Sequence, residues 1–433
     1  MSVIAEETEL SSRTTAVARP SRRSLFRAGA ASALAAGGLA ACSGSDRPRV
    51  NFYQSKREVI PHFSDLIDAF NREQSDFTYV HDTTTNLQAG FVRANPPDLA
   101  LQNYNHEMSR FMERGALSDL ADLPEAGRIR PEVLELVDWY PGYEDRTSVI
   151  PYSVAAASVI YNKQLFAEHD VEVPTTWDEL LSACETFQAA DITPLYGTFS
   201  ELWTITQGLF DYVVGGLIDS RDFFARLTEV GEDAGPNSEV SFQKNLLEPI
   251  QQMLELLPYF NKDARSRAYG DGNTAMANGT AAMYLQGPWA LVEIEKAETD
   301  VELGSFPLPV TDDPEDRKIR VNIDLSLWIP EQADQHEGAR QLLQHLMLPE
   351  IQFPYNELAL AFSTTDDAPE VTDPRIAEMQ PYYDEGRFYM GPSTLVPPTI
   401  PFGNYMQAIV LGAEPEPILS QIDSDFARLA YRA

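Results

Sequence analysis

Between residues 50 and 115 short apolar runs alternate with segments of helical period. Val50-Asn51-Phe52-Tyr53 reads as a strand, and Phe63, Leu66, Ile67 and Phe70 then fall at i, i+3, i+4 and i+7, the apolar stripe of a helix. A second strand is expected at 77–80 and a third at 98–102 after Pro96-Pro97, before a helix marked by Met108, Phe111 and Met112 that ends near Gly115. Such alternation predicts an α/β protein whose parallel sheet carries helices on both faces. Ligands of such sheets sit at the carboxyl ends of the strands, here residues 54–58, 81–86 and 103–106.

The same grammar returns further along. A strand is expected at 158–161, and Thr176-Trp177-Asp178-Glu179 has the form of a capping box opening a helix. In that helix Leu180, Leu181, Cys184 and Phe187 share a face, so Cys184 reads as a packed core thiol. A strand at 192–197 and several helices lead to a strand at 282–286. Gly287-Pro288 closes it and starts a helix at Trp289. Residues 307–318 are turn-rich and acidic, 321–329 are strand-like, and Ile418, Leu419, Ile422, Phe426 and Leu429 mark a terminal amphipathic helix. At 433 residues the chain exceeds what one core organises, and two to three domains are expected.

The first forty residues read as an address. Arg22-Arg23 precedes an uncharged run at 28–41 that ends in Leu39-Ala40-Ala41-Cys42. Fourteen helical residues reach about 21 Å, short of the ~30 Å hydrocarbon core, so a cleaved signal is favoured over a permanent span. The Arg pair looks like a twin-arginine export signal. Leu39–Cys42 resembles a bacterial lipobox, in which the Cys becomes the acylated first residue. We therefore expect a signal peptide at 1–41, a lipid-anchored tether at 42–48 and an extracytoplasmic protein held on the outer face of the cytoplasmic membrane through Cys42.

Composition removes several functional classes. With 32 Lys plus Arg against 66 Asp plus Glu, the formal charge of −34 repels a phosphate backbone, so nucleic acid is not an expected partner. None of the six His lies at i, i+3 or i, i+4 from another, and two Cys make neither a disulfide framework nor a Cys-based zinc site. No G-x-S-x-G elbow, phosphate loop or dinucleotide fingerprint in its context is present. The acidic run Asp312, Asp313, Glu315, Asp316 lacks the glycine-turn spacing of a calcium loop and reads as a solvated turn. No catalytic residue, metal or cofactor is expected.

Four stretches carry a resemblance: PYSVAAASVIYNKQLF at 151–166, VPTTWDEL at 173–180 with the later Ile192-Thr193-Pro194, GTAAMYLQGPW at 279–289, and IDLSLWI at 323–329. In order and spacing they resemble the extracellular solute-binding proteins of carbohydrate ABC importers, the family that includes maltose-binding protein. Pro97-Asp98-Leu99 and a helix at 338–347 before Leu348-Pro349 also fit, so the resemblance covers nearly all of the chain after the leader. It implies a two-lobed periplasmic-binding-protein-like fold with a ligand cleft between lobes joined by hinge strands. Crossings near Val154, at 310–318 and near Ala361 would give an N-lobe of 49–153 plus 319–360 and a C-lobe of 154–318 plus 361–433. Ala155 stands where maltose-binding protein carries a sugar-binding acid, a departure from malto-oligosaccharide recognition.

A sugar ring has apolar C–H faces and a hydroxyl rim, so its site wants aromatic plates together with amides and carboxylates. Trp289, at a strand's carboxyl end, is expected to be a stacking plate; Trp203 and Phe402, with Tyr405 close by, match further aromatic positions of the family. Gln54, Glu58, Asn103, Tyr104, Tyr152 and Asp324 are expected at the polar rim, while Trp177 and Trp328 read as structural. The expected partners are a carbohydrate and the permease subunits of an ABC importer. The protein is expected to be a monomer that meets the membrane only through its lipid. A secreted carbohydrate-active enzyme and a binding protein for a peptide or other non-sugar solute are the alternatives.

Overall fold

The computed structural model describes residues 47–431 apart from 141 and 144; the expected signal peptide, Cys42 and most of the tether lie outside the described residues. Ten strands form one sheet: β1 (Arg49–Tyr53), β2 (Thr78–Asp82), β3 (Leu99–Gln102), β4 (Ile150–Asn162), β5 (Thr193–Leu195), β6 (Ala281–Gln286), β7 (Leu303–Phe306), β8 (Ile319–Trp328), β9 (Phe362–Ser363) and β10 (Phe388–Met390). The main path runs β2-β1-β3-β8-β4-β6-β5. β1 is parallel to β2 and β3, with Phe52 opposite His81 and Leu99. The sheet as a whole is mixed, because β8 and β4 run antiparallel to their neighbours on this path.

β4 is the strand on which the fold turns. Residues 150–157 pair with β8, and Ser158–Tyr161 pair with β6. β7 joins it at Val159 opposite Phe306, and β9 at Val154 opposite Phe362. Its pairing with β8 shifts register on both sides of Ser153, which bends the strand there. All thirteen residues are buried, so the strand shows no period-two alternation, and only its second half was legible as a strand.

Two apolar cores flank this strand. The first gathers Phe52, Phe63, Leu101, Tyr152, Leu325 and Trp328; the second gathers Val159, Phe187, Phe210, Phe242, Phe306 and Met406. Residues 362–390, placed by the sequence reading in the second lobe, join the first core through Phe362, Ile376, Met379 and Tyr383. Cys184 is fully buried in the second core, and burial pushes its thiol up to about 12. The helix Trp177–Ala189 is capped by Thr176, whose hydroxyl accepts from the Glu179 N–H. The returning Glu179 carboxylate reaches Thr175 instead of Thr176, so the box closes one residue early.

Candidate functional site: a groove between two cores

Gly287-Pro288 ends β6 and opens the helix Pro288–Glu295, which puts Trp289 in its first turn. The indole N–H donates to Gln286 Oε1 at 2.9 Å, and Gln286 is itself buried. The half-buried ring packs against both cores, so it stands where they meet. With its one polar atom satisfied inside the protein, the ring offers only apolar surface to a visitor.

Trp203 is held in the same manner. Its N–H donates to Glu201 Oε2 at 2.7 Å, while Glu201 Oε1 accepts the Tyr269 backbone N–H at 2.8 Å. One carboxylate thereby fastens two aromatics whose rings meet edge to face at 5.1 Å. The Tyr269 phenol is held well above its ordinary range, first by burial and then by the charges of Glu293, Glu58 and Glu201. Glu58 belongs to the turn after β1, and its charge is felt at Tyr269. Glu58 is exposed.

Asp324 on β8 is a saturated carboxylate. Lys56 Nζ bridges its oxygens at 2.8 and 2.7 Å, and the Tyr355 hydroxyl adds a bond at 3.2 Å. Asn103 Nδ2 donates to the Asp324 carbonyl at 2.6 Å and to Oδ1 at 3.3 Å. Asp324 therefore holds Lys56 and Asn103 in place at the ends of β1 and β3. Lys56 went unnoticed in the sequence because a lone cation in a short turn carries no periodicity; Glu201, Tyr269 and Gln286 were missed for the same want of pattern.

Between the two cores lies a pocket of about 410 Å³ lined by Asn105, His106, Tyr140, Gln207, Phe402 and Asn404 among others. Asn105 also caps the helix His106–Glu113 by accepting the Met108 N–H. The Tyr140 hydroxyl donates to the Thr394 carbonyl at 3.1 Å, linking a side chain of the first core to the segment that leads into the second. Burial pushes this phenol up to about 12. Phe402 is only 6% exposed and meets Phe210 edge to face at 5.0 Å, so it forms wall, not plate.

Besides Asp324, which is itself buried, three expected rim residues do not reach the groove. Tyr152 is fully buried, its ring 6.3 Å from Phe63 and 5.2 Å from Tyr355, because its part of β4 is covered on both faces. Tyr104 is buried and donates to the Val137 carbonyl at 2.6 Å. Gln54 is sealed at the end of β1, with Nε2 3.4 Å from the Lys56 carbonyl. All three are core residues. Trp328 is fully buried and Trp177 nearly so, the latter donating to Glu255 at 3.1 Å. Among the described residues no group of three or more His, Cys, Asp and Glu is arranged to hold a metal, and no helix is long and apolar enough to cross a membrane.

Residues 63–353 match the family described as bacterial extracellular solute-binding protein. The chain belongs to this family. As a solute-binding protein it is similar to a multiple sugar-binding protein of Streptococcus mutans, 24% identical over 287 residues that cover 63% of this chain and 66% of that protein. A Pyrococcus horikoshii ABC transporter extracellular-binding protein is 23% identical over 65% of this chain and 62% of its own length. The chain thus spans about two thirds of the length of these relatives. Among solved structures, the apo form of RafE from Streptococcus pneumoniae superposes with a TM-score of 0.75 at 17% identity, over 89% of this chain and 99% of RafE. RafE in complex with raffinose gives 0.72 at 16% identity over 88% and 99% of the two chains. The solute-binding protein therefore has the two-lobed α/β fold.

Proposed function

We propose that this protein captures a mono- or oligosaccharide between its two lobes and hands it, chemically unchanged, to the permease of an ABC importer. The observation that carries this reading is the pair Trp289 and Trp203. Each indole N–H is satisfied by a neighbouring side chain and both rings are part-exposed, with Glu58 and Asn103 just beyond the ends of β1 and β3. Aromatic faces opposed by polar rim groups are what a pyranose requires. The names of the similar proteins, a multiple sugar-binding protein and a raffinose complex of RafE, support the ligand class.

β4, β8 and β9 would serve as hinge strands between a first lobe of 49–153 plus 319–360, joined by residues 362–390, and a second lobe of 154–318 plus the chain after 390. The Arg22-Arg23 leader and Cys42 support export and a lipid anchor on the outer face of the cytoplasmic membrane, with the body acting as a monomer. Thermal-shift screening of neutral sugars followed by calorimetry tests the ligand class, since a ligand at 100 times its dissociation constant adds about 2.7 kcal/mol to stability. Saturable binding with the sugar recovered intact supports the reading. Turnover of a glycoside would replace it with an enzyme, and failure of every sugar would remove it. Cys42→Ala should move the protein from the membrane to the soluble fraction; a variant still bound as tightly as the parent would refute the anchor.

A further inference from the structure

One wall of the 410 Å³ pocket is built on a helix irregularity. Residues Thr204–Phe210 form a π-helical turn that runs into the helix Asp211–Leu217. Such turns insert a residue into a helix and shift the direction of the side chains beside it. Thr204, Ile205, Thr206, Gly208, Leu209 and Phe210 are all buried, and Gln207 alone among the seven is exposed. Gln207 lines the 410 Å³ pocket beside Tyr140 and Asn404, while neither Trp289 nor Trp203 lines it. Gly208 seats the turn on β6: a Cβ there would stand 3.3 Å from the Leu285 carbonyl, so the turn lies close against the strand that ends in Gln286.

Trp203 is the residue just before the π-helical turn, and Gln207 lies four residues further on inside it, in a pocket that Trp203 does not line. The pocket's chemistry is also that of a sugar site. Carboxamides of Gln207, Asn404 and Asn105 offer donors and acceptors, and Phe402 with Pro397 and Pro398 supplies apolar wall. Glu107 lines it and no Lys or Arg does, so the pocket disfavours anions.

Resting on the sugar-capture reading above, we propose that this pocket is a separate subsite in which Gln207 binds a second or later ring, so that the ligand is a neutral oligosaccharide and not a monosaccharide or an acidic sugar. Trp289 and Trp203 hold one ring of the chain and the Gln207 pocket another.

The test is calorimetry on four nested ladders, each from monomer to tetramer: galactose to stachyose through melibiose and raffinose, glucose to maltotetraose, N-acetylglucosamine to its chitin tetramer, and xylose to xylotetraose. In the ladder that binds, affinity should rise about tenfold or more with length. Q207A should lower the ratio of longest to shortest affinity by several-fold to tenfold, the worth of a neutral hydrogen-bonding group, whereas W289A should weaken both ends and leave that ratio near the parent's. Gln207 is exposed, so the melting temperature of Q207A should equal the parent's. A monomer that binds as tightly as its tetramer, or a Q207A ratio identical to the parent's, overturns the subsite while leaving sugar capture standing. Binding by no ladder overturns sugar capture and the subsite together, and preferential binding of galacturonic acid over galactose overturns the assignment of neutral ligands.

Discussion

The indole of Trp289 lies back over Gly287: a Cβ on Gly287 would stand 2.3 Å from Cζ3 of the ring. The backbone there is extended at φ −106°, which any residue adopts, so glycine is needed only to leave room for the ring. Gly287→Ala should displace the indole and weaken sugar binding about tenfold with a small fall in melting temperature. Equal affinity in calorimetry would mean that the ring position does not matter to the ligand.

Trp289→Ala removes the proposed plate itself. Affinity should fall by roughly 2 to 4 kcal/mol, the size of a binding hot spot. Stability should fall less than the ~3 to 5 kcal/mol typical of a core Trp→Ala change, because the ring is half exposed. The affinity and the ligand-free melting temperature, measured on the same sample, separate plate from core.

Lys56 and Asp324 form a pair with side chains only 16% and 5% exposed. Lys56→Met would strand the carboxylate, and unfolding stability should drop by about 3 kcal/mol. Lys56→Met/Asp324→Asn should recover part of that loss. A chemical-denaturation midpoint in Lys56→Met equal to the parent's would show that solvent already screens the pair.

Tyr140→Phe deletes the hydroxyl that reaches the Thr394 carbonyl, a bond that would span the proposed cleft. Losing a bond of about 1 kcal/mol shifts a closed–open balance roughly fivefold toward open. Small-angle scattering of the ligand-free variant should give a larger radius than the parent, and the two should converge at saturation. Identical radii without ligand would place the closing contacts elsewhere.

His62, His81, His106 and His345 are all held below their ordinary range, each by burial first. Their folded pKa values lie below the unfolded ~6.5, so the unfolded chain binds more protons in between. Stability from these groups is complete above that value and is lost as pH falls below it. Melting temperature should therefore decline from pH 7.5 to pH 5; a rise over that interval would contradict the direction.

Where residues obeyed a period, the sequence was readable: the stripe of Phe63, Ile67 and Phe70 is the buried face of the helix Ile60–Glu73. Cys184 and Trp328 are buried as expected of core residues. The first half of β4 was not readable, because Pro151 and the run Ala155-Ala156-Ala157 have little strand preference and burial on both faces erases alternation. At the cleft, Trp289 could be noticed from the Gly-Pro turn before it. The partnership of Glu201 with Trp203 and Tyr269 could not, since it joins segments 68 residues apart that meet only in the folded chain. Tyr104 sits just beyond β3 as expected and Tyr152 lies inside β4, but which side of the backbone a tyrosine leaves from is decided by tertiary cover.

β4 gives backbone bonds to β8 along one stretch and to β6 and β7 along the next. Neither half of the molecule can be cut out with its sheet intact: removing one half leaves the other with a bare strand margin open to pairing with a second chain. The two halves are thus bound into a single inheritance, gained or lost together when the gene is trimmed, fused or permuted. Insertions that respect this continuity belong in surface turns such as the acidic one at 312–316.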